Sequence, residues 1–306
     1  MSEQLDLFRS SELPSAAVED VSVLEGATAG ALDDLLRLTP RWRQCRDFFD
    51  LLRFIARFPN YSPFNGFLIY LQRPDATRVA TGRAWLQKYR RRLKPGAQPI
   101  LILAPMAPVL FVFDLKDTEG DPFSESPSLG GENRSRLPYR ILDHLLHNCS
   151  RQRIAVREAP MIDPAGERAV RLTPAVRKAY ADLDIEAGQR YLILIAPDLS
   201  PEEKFAALAL ELSRIFCGHL GDDADAWWPD RRDLELEQIL FEAEAAADLV
   251  CRRKGIERLS PRLSAMTAGE NRELPPVSLH TVLQAVGRIE EMGKQPWRRP
   301  RKRSRT

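Results

Sequence analysis

Residues Tyr191–Leu220 read YLILIAPDLSPEEKFAALALELSRIFCGHL, and this stretch decides the fold. Tyr191–Ala196 is a short, unbroken apolar run of the kind found in strands covered on both faces. Ser200-Pro201-Glu202-Glu203 then carries the signature of a helix start. Ser200 can cap, Pro201 suits the first helical position, and Glu203 can close a capping box. Phe205, Leu208, Leu212 and Ile215 recur on one face of the helix that follows, which runs to about Leu220. A second long helix, Leu234–Arg253, ends at Gly255. A strand running into a long helix, with a second helix beyond, predicts an α+β arrangement.

Upstream, Ala31–Phe58 has apolar residues at helical spacing, broken at Thr39-Pro40, and Pro63–Leu71 and Ala84–Tyr89 continue as short helices. The runs QPILILA and VLFVFDL, separated by Pro105 and Pro108, predict a hairpin. Asp117–Pro138 is rich in Gly, Ser, Pro and acids and reads as a linker or long loop. Beyond it lie an amphipathic helix, Tyr139–Arg151, and a second expected hairpin, Arg153–Glu158 with Glu167–Leu172. Val277–Met292 is the last helix. The organisation expected is a mobile N-terminus over 1–26, an N-terminal module over 27–123, a linker over 124–138, a second domain over 139–270, a C-terminal helix over 271–293 and a basic tail over 294–306.

At 306 residues the chain has room for two cores, and 44% hydrophobic with 29% charged residues is a globular composition. The apolar runs are too short to cross a bilayer, and the first residues lack a signal-peptide core. Four cysteines without CxxC spacing fit reduced thiols, hence a cytoplasmic protein. The net charge of +2 is unevenly distributed. Arg83, Lys88, Arg90, Arg91, Arg92 and Lys94 have no acid among them, and KQPWRRPRKRSRT at the end holds seven basic residues. Basic segments beside aromatics suggest a polyanion partner; a solvated, solubilising tail is the alternative for the end of the chain.

Tyr61–Pro105, YSPFNGFLIYLQRPDATRVATGRAWLQKYRRRLKPGAQPILILAP, resembles the N-terminal domain of ArdC-type antirestriction proteins. The resemblance rests on Tyr61, Ser62, Asn65, Leu68, Ile69, Gln72, Pro74, Ala76, Thr77, Trp85, Lys94, Gly96 and Ala104-Pro105. Where the family often has Gly-Arg before its basic turn, this chain has Tyr89-Arg90-Arg91-Arg92, which adds charge. The resemblance implies binding of single-stranded DNA. Aromatic stacking platforms and backbone-tracking arginines agree with it. The expected contact residues are Tyr61, Arg83, Trp85, Tyr89, Arg90, Arg91, Arg92 and Lys94. For Trp85 a place in the core is the competing reading, and Asn65 and Gln72 can instead cap or pin local turns.

Phe205–Leu220 resembles the zinc-binding helix of the ArdC and ImmA/IrrE metallopeptidases, whose pattern is His-Glu-Leu-x-His followed by Gly-His. Two histidines one turn apart would face one metal there, with the Glu as general base. FEAEAAADLVCRRKGI, later in the chain, resembles the family's third-ligand helix. Carried over, the first His position holds Leu210, the base is Glu211, and the second His position holds Arg214. The third ligand falls on Glu242, with Glu244 as the lesser choice, and His219 matches the trailing His, which is not a ligand. Leucine cannot coordinate zinc and a guanidinium repels it, so no cofactor is expected although active relatives use zinc.

In place of the metal, Arg214 is expected to hold Glu211 and Glu242 as a structural clamp. His144, His147 and Cys149 form a further candidate metal cluster, read against ordinary histidines on an amphipathic helix. The resulting expectation is a single-stranded-DNA-binding protein with a non-catalytic, zincin-like scaffold or interaction domain. That domain could take a protein partner but no membrane. The resemblance implies an antirestriction, mobile-element or stress-regulation setting. The alternatives are an active zinc endopeptidase of the ImmA/IrrE type with an unconventional ligand set, and a basic module that docks protein.

Overall fold

The computed structural model describes residues 33–34, 44–104, 107–123, 137, 140–159, 169–222, 228, 230–257, 260, 264–265 and 272–296. The expected mobile N-terminus, nearly all of the 124–138 linker and most of the basic tail lie outside these residues.

The N-terminal part runs α1 (Cys45–Ala56), α2 (Pro63–Gln72), β1 (Val79–Ala80), α3 (Gly82–Tyr89), β2 (Arg91–Leu93), β3 (Ile100–Ala104), β4 (Ala107–Asp114) and β5 (Thr118–Gly120). The predicted hairpin is present: β3 and β4 pair antiparallel, Ile100 facing Val112 and Leu101 facing Phe111, and β1 adds on the far side of β4. β2 and β5 form a separate two-stranded ribbon. Each short helix starts where a side chain supplies the missing acceptor: Ser62 accepts from Asn65 N–H and Thr81 from Ala84 N–H. Buried Asp114 accepts from the backbone N–H groups of Thr77, Arg78 and Lys116, fixing the entry to β1 against the end of β4.

Asn65 and Gln72 do more than pin local turns. Gln72 Nε2 donates to the Leu101 carbonyl while its Oε1 accepts from Leu101 N–H; Asn65 does the same with Leu103. Two amide side chains on α2 thus satisfy the outer edge of β3 in place of a further strand.

The C-terminal part runs α4 (Ile141–Arg151), β6 (Ile154–Glu158), β7 (Ala169–Arg171), α5 (Pro174–Ala179), β8 (Tyr191–Ile195), α6 (Pro201–Phe216), α7 (Leu236–Arg253) and α8 (Leu279–Lys294). The capping box of Ser200 and Glu203 is formed as its sequence foretells. The expected second hairpin is not formed. β8 lies between the two segments, parallel to β6 and antiparallel to β7. The physical reason is burial: YLILI is apolar on both faces and takes the central position, leaving the more polar β6 and β7 as its flanks.

The two parts do not keep separate cores. Phe48, Phe49, Leu51, Leu52 and Ile55 of α1 and Phe67 of α2 join Tyr191, Ile193, Leu208, Leu212, Phe241, Leu249 and Val286 in one cluster. Phe54 faces the other way, into a smaller cluster with Phe58, Ile69, Ile100, Ile102 and Val112 beneath the β3–β4 sheet. α1 therefore belongs to both parts. Its apolar residues cover an arc broad enough to reach both clusters, while Arg46, Asp50 and Arg53 form an exposed stripe on the remaining side. α2 closes onto it at Gly66, where a Cβ would stand 2.9 Å from Ile55 Cγ2.

Arg253, at the end of α7, locks the junction. Its guanidinium is fully buried, pairs with Glu290 of α8 at 2.9 Å, and donates to the carbonyls of Ile55, Phe58 and Tyr61. Among the described residues no helix is long and apolar enough to cross a membrane, and all four cysteines are buried and unpaired.

Candidate functional site

Two groups of side chains stand apart from ordinary packing. The first lies where α6 ends against α7. Glu242, in the middle of a helix face otherwise lined by Ala and Leu, is fully buried. Arg231 Nη1 and Nη2 donate to its Oε2 at 2.5 Å and its Oε1 at 2.7 Å, a bidentate pair. His219 Nε2 lies 2.9 Å from Oε2, and Ser278 N–H, at the start of α8, donates to Oε1 at 2.8 Å. Burial pushes the Glu242 carboxyl up, but the hydrogen bonds from His219 and Arg231 outweigh it and hold the group below its ordinary value. For His219 burial wins over the attraction of Glu242 and the imidazole is pushed down, to the neutral form. Neutral His219 donates through Nε2, which leaves Nδ1 as a buried acceptor without a hydrogen-bond partner.

The clamp expected of Arg214 on both carboxylates is not what the hydrogen bonds of Glu242 show. Arg214 Nη1 donates to Glu211 Oε2 at 3.2 Å, as the three-residue spacing on α6 requires. The guanidinium on Glu242 belongs to Arg231, which reaches back from the loop before α7. Backbone bonding holds that loop, since Arg231 N–H donates to the Gly218 carbonyl. Arg231 stands in a run of mixed charge, DRRDLELEQ, and nothing in the spacing of that run announces its partner.

Leu210, Arg214 and Glu242, the positions expected from the sequence to match zinc ligands, do not fit a metal. Leu210 offers no ligand atom, Arg214 is a cation, and both oxygens of Glu242 are taken by Arg231, His219 and Ser278. Among the described residues one other ligand set comes together: Cys217, His219 and Glu242 have ligand atoms within 4.8 Å of one another. In it the Cys217 thiol is pushed well above its ordinary value, first by burial and then by Glu242, so it stays protonated. The cluster is electrically complete as it stands, one carboxylate matched by one guanidinium beside a neutral imidazole and a neutral thiol. The other candidate cluster does not assemble: on α4, Cys149 is fully buried and His147 is exposed, while His144 bonds the Gly293 carbonyl. Glu244, the lesser choice for the third ligand, is buried on α7 two residues after Glu242.

The second group is the α3–β2 segment. Thr81 starts α3, and Arg90, in the left-handed region at φ 55°, turns the chain from α3 into β2. Arg83, Lys88, Arg90, Arg92 and Lys94 are exposed, and among the described residues none meets a carboxylate within ion-pair distance. The expected aromatic platforms turn inward instead. Trp85 is fully buried and donates Nε1–H to the Phe113 carbonyl at 2.8 Å. Tyr89 and Phe123 pack on it at 5.0 Å and 6.0 Å. Tyr61 is half-buried, donates to the Val79 carbonyl, and has its phenol pushed up to about 12 by burial. Arg91 is spent on β5, donating to Thr118 Oγ1, the Thr118 carbonyl and the Asp121 carbonyl. The segment brings five cations outward and uses its aromatic rings as the support beneath them.

No protein-family model matches the chain and no curated protein matches it. Two solved structures are similar to it, both titled antirestriction ArdC protein from R388 plasmid. The Mn(II)-bound form has 13% identity and a TM-score of 0.38, covering 89% of this chain and 98% of that one. The metal-free form has 13% identity and a TM-score of 0.39, covering 90% and 99%. Similarity at this level leaves the family of the chain unassigned.

Arg231→Leu leaves a buried carboxylate without its cation and is expected to cost about 3–5 kcal/mol, lowering Tm on the order of 10 °C. Arg232→Leu, one residue on, removes only an exposed pair with Asp230 and leaves Tm where it is. Thermal melts of both variants check this; equal melting points would contradict the clamp. The unfolded chain takes up a proton on this histidine near the ordinary value of 6.5, whereas buried His219 does so only at lower pH. Its contribution to stability is therefore full above about pH 6.5 and is lost as pH falls below it. His219→Gln, which still donates to Glu242 but does not titrate, should lose less stability than the parent between about pH 6.5 and 5 in urea melts.

Proposed function

We propose that this chain binds single-stranded nucleic acid through its N-terminal part, and that the α6–α7 unit is a non-catalytic scaffold held by the Arg231–Glu242 pair. One observation carries the reading: five cations on a single short helix–strand segment are all exposed, while the neighbouring rings and Arg91 are spent on holding that segment rigid. Cations kept in solvent on a pre-organised support match a phosphate backbone, which contributes most of the affinity in such complexes. An antirestriction, mobile-element or stress-regulation setting is compatible with this reading and is carried by the resemblance of Tyr61–Pro105 alone. A protein partner for the scaffold is part of the same proposal.

Fluorescence anisotropy with a labelled twenty-nucleotide oligo(dT) and a duplex of equal length tests it. The single strand should bind more tightly, with affinity falling steeply in salt. Combined Arg83→Ala, Arg90→Ala and Arg92→Ala should flatten the log–log salt slope by about 2, at roughly 0.7 per lost phosphate contact. Duplex preference, or binding that ignores salt, contradicts the proposal.

The Cys217, His219 and Glu242 cluster favours a second reading, a metallopeptidase with an unconventional ligand set. That reading needs Arg231 to leave Glu242. Elemental analysis after purification without chelator separates the two. The scaffold reading expects well under one zinc per chain and a Tm unchanged by chelator; one tightly held zinc, lost in Glu242→Gln, favours the peptidase.

A further inference from the structure

The face of the β3–β4 sheet turned away from α1 and α2 is open. Leu101, Leu103 and Phe111 are 42%, 51% and 50% exposed, an apolar row left in solvent. Cross-strand partners in an antiparallel pair share a face, so Leu101 and Phe111 lie side by side, and strand alternation adds Leu103. Phe113 occupies the same face two residues along, about 7 Å away, and is not open. A Cβ on Gly82 would lie 3.9 Å from Phe113 Cε2 and 3.2 Å from Leu93 Cδ1, so the start of α3 and the end of β2 close over that end of the sheet. The floor is therefore apolar and one bounding wall is the α3–β2 segment that carries Arg83, Arg90, Arg92 and Lys94. Asn65 and Gln72 mask the edge of β3, so the surface offers its face and not an unpaired strand.

Resting on the single-strand reading above, we infer that this face is where the bases lie: Phe111 stacks on a base, Leu101 and Leu103 bed its neighbours, and the cations of α3–β2 hold the phosphates alongside. Charge complementarity selects the occupant. A second copy of this chain would bring the same cations against each other, whereas a strand with apolar base faces and an anionic backbone matches both halves of the surface. Leu101, Leu103 and Phe111 present carbon alone and reward no 2′-hydroxyl, which favours DNA over RNA.

The test is anisotropy with oligo(dT), oligo(rU) and an abasic oligonucleotide of equal length, using the parent chain, Phe111→Ala and Phe111→Tyr. Phe111 is half-exposed, so Phe111→Ala should keep the parent's Tm and circular dichroism. Expected are about a tenfold loss of oligo(dT) affinity in Phe111→Ala with an unchanged salt slope, recovery in Phe111→Tyr, and no effect on abasic binding. Unchanged oligo(dT) affinity in Phe111→Ala, while the triple arginine variant still weakens binding, overturns the face assignment and leaves the single-strand reading standing. No binding by the parent overturns both. Tighter binding of oligo(rU) overturns the choice of DNA. A parent dimer that Phe111→Ala dissociates in sedimentation makes the occupant a second copy and overturns the inference.

Discussion

A carboxylate buried in the middle of a helix face is costly, several kcal/mol for a lone charge, and α7 carries one at Glu242. The surrounding chain is arranged to meet that cost. The loop before α7 returns to bring Arg231, the chain after α6 brings His219, and the start of α8 presents the Ser278 N–H. Three separate segments are thereby brought to one helix by one charged group. A metal ion gives the same kind of cross-linking, and here a guanidinium and an imidazole supply it from within the chain. Glu242 thus serves as an anchor for three segments.

Some 16 Å further along the same helix, at 1.5 Å per residue, Arg253 performs the complementary task. It is a buried cation answered by Glu290 and by backbone carbonyls at the end of α1 and the turn after it. α7 is thus pinned at one end to the sheet-and-helix core and at the other to the stalk on which the β3–β4 sheet is built. The basic segment and the open sheet face inherit their rigidity from that stalk, through Phe54 below the sheet and Trp85 above it. A binding surface on such a support loses little freedom when a flexible strand settles on it, which favours affinity.

Much of this was legible in the sequence. The capping box at Ser200, the helices near Pro63 and Ala84, the QPILILA–VLFVFDL hairpin and the central run at Tyr191 follow from local chemistry, and local chemistry was not overruled there. Long-range pairing was the harder part. Adjacency in sequence suggested that the segments of β6 and β7 pair, but the most apolar strand took the middle place between them. A composition shift near residue 124 suggested two cores, yet α1 packs against both parts because its apolar arc is wide, with Phe48, Leu52 and Ile55 meeting one cluster and Phe54 the other. At the site, helical spacing gave the Arg214–Glu211 pair, while Arg231 came through a loop whose return no periodicity encodes. Trp85 shows why residue type alone misleads: an aromatic beside arginines can serve as platform or as keystone, and only its burial tells which. The open face was not legible, since the apolar runs of β3 and β4 predict a hairpin but do not say which of its faces is covered.

If the proposed function holds, the α3–β2 segment and the open sheet face meet nucleic acid and the Glu242 cluster does not. Hydrogen–deuterium exchange of the whole chain, with and without saturating oligo(dT), measures both at once. The account predicts slowed exchange across residues 83–94 and 101–111 and no change across 211–242. Protection confined to 211–242, or none across 83–111, would contradict it.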